Sequence, residues 1–193
     1  MPEMPEVEGL VEFLRERATG LEITQARVAS ISALKTFDPP LESLIGASVT
    51  GVARHGKFVD IATTGHHLVF HLAKAGWLRW HEGLPTTVIK PGRSPIALRV
   101  GFGDGSGFDL TEAGTKKSLA VYVVRDPQHV EGIARLGPDP LGDEITRDAF
   151  AELLRGRRTQ IKGVLRDQKT IAGIGNAYSD EILHSACRTN AGS

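Results

Sequence analysis

One cysteine in 193 residues, Cys187, excludes an internal disulfide and every zinc site that needs two or more thiolates. No apolar run approaches the ~18 to 20 residues of a membrane span, and the first residues lack the basic and apolar regions of a signal peptide. The expectation is a soluble, cytoplasmic protein with no membrane partner. Excess charge of either sign is missing too. Lys plus Arg is 23 and Asp plus Glu is 23, so a site for an anionic partner must be local. Aromatic residues are few, at 6%, but 40% apolar and 24% charged residues exclude disorder and suit one large or two small domains.

Val7, Leu10, Val11 and Leu14 recur at i, i+3, i+4 and i+7 and predict an amphipathic helix, with Pro5 in its first turn and Gly20 after its end. Short β-like runs follow, at 23–30, 48–54, 57–63, 67–72, 96–102 and 118–124. Their spacing leaves no room for helical crossovers, so the strands are antiparallel, with turns at Thr64-Gly65 and over 103–107. From Asp126-Pro127 through Gly137-Pro138-Asp139-Pro140 the composition is that of a linker. Helical periodicity then returns in three short segments, with Asp148 and Thr159 as candidate caps and a third helix from Ala177. The fold class is α+β: an N-terminal helix and antiparallel β-sandwich over residues 1–128, then a partial helical domain over 129–193.

Pro2 follows Met1, and removal of that methionine would leave a secondary amine at the chain start. An α-amino group has a pKa near ~8 against ~10.4 for lysine, so far more of it is unprotonated at neutral pH. Attack by a secondary amine on a sugar C1′, with loss of the base, gives an iminium that acidifies the C2′ hydrogen and invites strand elimination. Glu3 beside it could move protons to the ring oxygen and the leaving base. The plainer readings are a start-codon neighbour for Pro2 and first-turn electrostatics for the glutamates. A retained Met1 would block the nitrogen.

Lys57 stands in a turn between two β-runs, facing either solvent or a phosphate. Between Arg147 and Thr170 seven basic residues, among them Lys162, oppose three acidic ones, which supplies the local basic patch. Gly173-Ile174-Gly175-Asn176 sets backbone N–H groups and an amide side chain at a helix start, a phosphate-holding device or a simple Asn cap. Gly101, Gly103, Gly105 and Gly107 alternate and lead into no helix, so a dinucleotide fingerprint fails and no nucleotide cofactor is expected. His67 and His71 share a strand face but lack a third ligand, so no metal is expected, and His71 reads better as facing a nucleic acid.

Taken together, residues 1–8, the Gly56-Lys57 turn, Leu136-Gly137-Pro138-Asp139-Pro140-Leu141, Asp167-Gln168 and the stretch 172–183 resemble the formamidopyrimidine-DNA glycosylase and endonuclease VIII family. The motifs keep the family's order, in wording close to actinobacterial members. The resemblance implies a bifunctional DNA glycosylase and AP lyase of base excision repair, acting on damaged double-stranded DNA and cleaving the strand on both sides of the sugar. By position Pro2 matches the nucleophile, Glu3 the general acid/base and Lys57 a phosphate-binding lysine. Lys162 and Asn176 match the phosphate contacts of a helix-two-turn-helix motif, and His71 a histidine on the DNA backbone.

Two departures accompany the match. The family usually has a methionine where Lys74 stands, and an arginine and a phenylalanine in a stretch corresponding to 109–114, where this chain has neither. Those residues fill the gap left by an extruded base, offsetting unstacking by a few kcal/mol. The later helices, the base-reading loop and the zinc finger are also expected to be absent, leaving no cofactor in this chain. The alternative reading is a non-catalytic or AP-site-only DNA-binding relative.

Overall fold

The computed structural model describes residues 2–89, 94–143 and 145–190. Met1 and the last three positions, on which the readings of the N-terminus and the chain end partly fall, lie outside the described residues. Helix α1 (Met4–Ala18) forms where the apolar stripe predicts it. Val7, Val11 and Leu14 are buried, and Pro5 fits the first turn, where its missing N–H has no partner to lose.

Eight strands follow: β1 (Ile23–Val28), β2 (Val49–His55), β3 (Phe58–Thr63), β4 (His67–His71), β5 (Gly76–His81), β6 (Ile96–Phe102), β7 (Gly107–Glu112) and β8 (Ala120–Val124). They form two antiparallel sheets, ordered β1-β6-β7-β5 and β2-β3-β4-β8. Phe70 of one sheet and Phe108 of the other are fully buried with ring centroids 6.2 Å apart, and α1 shares the same core. Arg15 of α1 donates to the Val52 carbonyl from Nε and Nη2, which pins the helix to edge strand β2.

Strands β5 and β7 go beyond the expected runs. In β7 the acidic residues Asp109 and Glu112 are buried, so its polarity hides a central strand. Arg99 of β6 makes a two-pronged bond to Asp109 at 2.7 and 2.8 Å, with His81 at 3.1 Å. Glu112 accepts the Ser118 and Leu119 N–H groups at 2.7 and 3.0 Å. Every buried carboxylate here has its partners, which is the condition for burying it.

Beyond the sandwich lie α2 (Glu131–Ala134), α3 (Arg147–Leu154), α4 (Ile161–Arg166) and α5 (Asn176–Asn190). The expected caps shift. Thr146, not Asp148, caps α3 by accepting the Ala149 N–H at 3.1 Å, and Asp148 sits in the first turn. Gln160, not Thr159, precedes α4, with no side-chain cap bond. Val130 and Ile133 pack on Val69 and Val124, on the face of the second sheet away from the main core. Leu165, Ile171 and Ile174 form a small separate core with Phe150, Leu153, Tyr178 and Leu183.

The linker is an ordered brace. Arg54 of β2 has a nearly buried guanidinium that meets Glu8 of α1, Asp139 at 2.8 Å and the Gly56 carbonyl at 3.2 Å. Burial opposes its charge, but Asp139 and Glu8 outweigh burial and hold Arg54 above its ordinary pKa. The Gly137 N–H donates to the Gln168 carbonyl at 2.8 Å and the Ala172 N–H to the Pro138 carbonyl at 3.0 Å, so the brace also reaches the helices.

Candidate active site

The turn 173–175 enters α5 directly against the start of α1. Gly173 has φ +85°, and a Cβ there would meet the Met4 side chain at 2.8 Å; a Cβ on Gly175 would lie 2.4 Å from the Glu3 carboxyl carbon. Only glycine lets the two segments approach this closely. The Met4 N–H donates to the Gly173 carbonyl at 3.0 Å. The buried Glu3 carboxylate accepts the N–H groups of Gly175, Ala177 and Tyr178 at 2.7, 2.9 and 3.1 Å.

The turn therefore holds an anion, but the anion is Glu3. The Gly173 N–H goes to Gln168 Oε1 at 3.0 Å, while Gln168 Nε2 donates to the carbonyls of Ile174 and Arg166. A free phosphate cannot use N–H groups already engaged. The Gly173 and Gly175 N–H groups are thus engaged within the chain, and the exposed side chain of Asn176 is a polar group available beside them. A carboxylate offers about four acceptor positions, so with three taken one stays open.

Glu3 lines a hollow of about 660 Å³ with Lys57, Lys74, Arg166, Gln168 and Asn176. Three cations face one carboxylate across it. Lys57 is 9% exposed as a residue, and its ammonium makes no hydrogen bond to a described residue. Burial lowers its pKa; Glu3 opposes that and Arg166 adds to it. His71 lies beside Lys57 in an adjoining hollow with Phe58 and Leu136. Its Nδ1 accepts the Ala73 N–H at 3.1 Å, which places the ring proton on Nε2 as a free donor. Burial, then the charge of Lys57, pushes His71 down to about 4, so the ring is neutral at pH 7.

Pro2 lines a second hollow, of about 360 Å³, with Glu6, Lys74, Ala75, Gly76 and Trp77. The Glu3 N–H donates to Glu6 Oε2 at 3.0 Å, which fixes the chain at Pro2. Lys74 borders both hollows, from a turn in which Ala73 takes the left-handed φ of +54° that a side chain rarely adopts. Of the six sequence candidates, Glu3, Lys57 and Asn176 thus line the 660 Å³ hollow, His71 lines the one adjoining it at Lys57, and Pro2 lines the smaller hollow that shares Lys74 with it. Lys162 lines none of them: its ammonium is bound to Asp180 at 2.5 Å between α4 and α5. That Lys74 and Arg166 line this hollow as cations, with the neutral Gln168 beside them, was not read from the sequence, because only tertiary folding brings 74, 166 and 168 to one wall.

The stretch 109–114 also needs correction. Asp109 to Glu112 belong to β7 and are buried or half-buried, so they do not reach outward. The exposed connection is 113–118, and its Ala113 N–H donates to the Ala75 carbonyl at 3.1 Å, next to Lys74. Among the described residues no group of three or more His, Cys, Asp and Glu is placed to hold a metal ion, and no helix is long and apolar enough to cross a membrane.

Comparison with known proteins gives matches to two domain families. Residues 1–117 match the formamidopyrimidine-DNA glycosylase N-terminal domain, and residues 136–190 the formamidopyrimidine-DNA glycosylase H2TH domain. The sequence is 34% identical over 193 residues to the formamidopyrimidine-DNA glycosylase of Moorella thermoacetica, covering 96% of this chain and 67% of that protein. It is 35% identical over 191 residues to that of Solibacter usitatus, covering 96% and 66%. Among solved structures, the Lactococcus lactis enzyme non-covalently bound to DNA with an AP site superposes with a TM-score of 0.78 at 26% identity, covering 94% of this chain and 68% of that one. The same protein with FAPY-dG DNA gives 0.78 at 25% identity, covering 94% and 67%. This chain spans about two thirds of the length of these relatives.

Proposed function

Because the chain belongs to the formamidopyrimidine-DNA glycosylase family, we propose that it excises damaged bases from DNA and cleaves the resulting abasic site through the nitrogen of Pro2. Removal of Met1 frees that nitrogen. Its lone pair forms a bond to C1′ as the bond from C1′ to the base breaks, and the base leaves with a proton. The N–H proton of the resulting ammonium passes to the Glu3 carboxylate and from there to the ring oxygen, which opens the sugar and yields an iminium between Pro2 and C1′. The iminium draws electrons from the C2′–H bond; loss of that proton expels the 3′ phosphate, and a second elimination expels the 5′ phosphate.

The supporting observation is the position of Glu3. It is anchored by three N–H groups with one acceptor position open, next to Pro2 in sequence and on the wall of a hollow whose cations suit a phosphodiester. Lys57, Arg166 and Asn176 hold the backbone phosphates, and His71 donates from Nε2 without adding charge. Damaged duplex DNA is the partner this arrangement serves.

Borohydride tests the reading by reducing the iminium to a stable amine. Incubation with abasic-site duplex and borohydride is expected to give a covalent adduct that Pro2→Gly abolishes while duplex binding survives. Salt-dependent binding with no adduct from the wild type would overturn the reading in favour of a duplex binder without excision chemistry.

A further inference from the structure

The two tryptophans have opposite surroundings. Trp80 packs edge-on against Phe13 at 5.7 Å and beside Phe102 at 5.8 Å. Trp77, three residues earlier, is 65% exposed and touches no aromatic ring among the described residues. Alternation along β5 sends Leu78 into the core and Trp77 out. β5 is an edge strand, and Trp77 opposes Thr111 at its start, so no neighbouring strand covers the indole on the outer side. An aromatic residue normally buries a large area, and leaving one in water forgoes that gain.

Its position gives the exposure a purpose. Trp77 lines the hollow that also holds Pro2, Lys74 and Gly76. Resting on the reading above, in which a sugar is held at Pro2, we propose that Trp77 is a base-stacking residue of this site, with the Lys74 ammonium beside it engaging the adjoining phosphate. A nucleotide drawn out of a strand leaves at least one base without a stacking partner, and an indole face replaces it regardless of base identity. An ammonium at position 74 cannot serve as an apolar wedge, but it stands one short turn from the indole and can pair with the phosphate next to the stacked base. The base is either a neighbour in the damaged strand or the one left opposite.

The test is binding of a stable abasic analogue placed in a single strand or in a duplex, followed by tryptophan emission and by competition. Bound DNA is expected to quench the exposed indole of the wild type. Trp77→Ala is expected to weaken binding roughly 5- to 150-fold, while Trp77→Phe keeps the ring face and stays within a few-fold of the wild type. Loss in both arms assigns a neighbouring base; loss in the duplex alone assigns the opposite base. Equal affinity of Trp77→Ala and wild type in both arms, or emission indifferent to bound DNA, would overturn the proposal. A wild type that binds and quenches but forms no borohydride adduct retains Trp77 stacking and removes the Pro2 chemistry. A wild type that binds neither DNA removes both.

Discussion

The Glu3 carboxylate and the Gly175 N–H meet at 2.7 Å across 172 positions of sequence. This bond and its two companions join the start of the sandwich domain to the first turn of α5, placing the carboxylate at the N-terminal end of that helix. One side chain thereby sets both the docking of the helices and the wall of the hollow beside Pro2.

Removing that charge should therefore cost stability as well as chemistry. Glu3→Gln keeps the shape but turns an amide NH₂ toward N–H donors, and is expected to lower the unfolding free energy by about 1–3 kcal/mol in urea titration. Gly175→Ala should do at least as much, since its Cβ would lie 2.4 Å from the Glu3 carboxyl carbon. Unchanged midpoints in both variants would contradict the docking role.

The salt dependence of DNA binding separates the two residues of the adjoining hollow. Lys57→Met should reduce the slope of log K against log salt by about 0.9, the loss of one phosphate contact. His71→Gln should weaken binding yet leave the slope unchanged, because the ring is neutral at pH 7. Asn176→Ala should weaken all duplexes alike, since a phosphate contact carries no base information. A change in lesion preference in Asn176→Ala would contradict that assignment.

His71 also predicts a pH effect on stability. Its folded pKa of about 4 lies below the ordinary 6.5. Between those values the unfolded chain binds more protons, so stability falls as pH drops through that window and levels off below it. The contribution is on the order of 3 kcal/mol. The stability advantage of wild type over His71→Gln should shrink between pH 6.5 and pH 4 by that order; a constant difference would contradict it.

Arg54 holds α1, β2 and the linker together. Arg54→Met leaves Glu8 and Asp139 facing each other without their cation. Both carboxylates keep about a third of their exposure, at 31% and 33%, so water offsets part of the loss. We expect about 1–3 kcal/mol, below the ~3–5 kcal/mol typical of a fully buried pair. Thermal unfolding that is indifferent to the substitution would show that the brace rests on its backbone bonds alone.

Helix α1 was legible because its stripe is regular, and six strands because their apolar runs end in turn residues. β5 hid because tryptophans occupy both of its faces. β7 hid because Asp109 and Glu112 are buried through partners, Arg99 and the Ser118 and Leu119 N–H groups, that no local window shows. The site was legible at Pro2, Glu3, Lys57 and Asn176, which stand in short motifs. That Glu3 occupies the glycine turn was not, since it depends on contacts across nearly the whole chain. Lys162, read from its basic run, pairs with Asp180 on the next helix and does not line the hollow, a contact between helices that no local window shows.

The chemistry of Pro2 is tested most directly by locating the borohydride adduct. After trapping on abasic-site DNA, proteolysis and mass spectrometry should place the sugar remnant on the nitrogen of Pro2 in a chain that has lost Met1. An adduct on Lys57 or Lys74, or a wild-type chain retaining Met1 and forming no adduct, would contradict it.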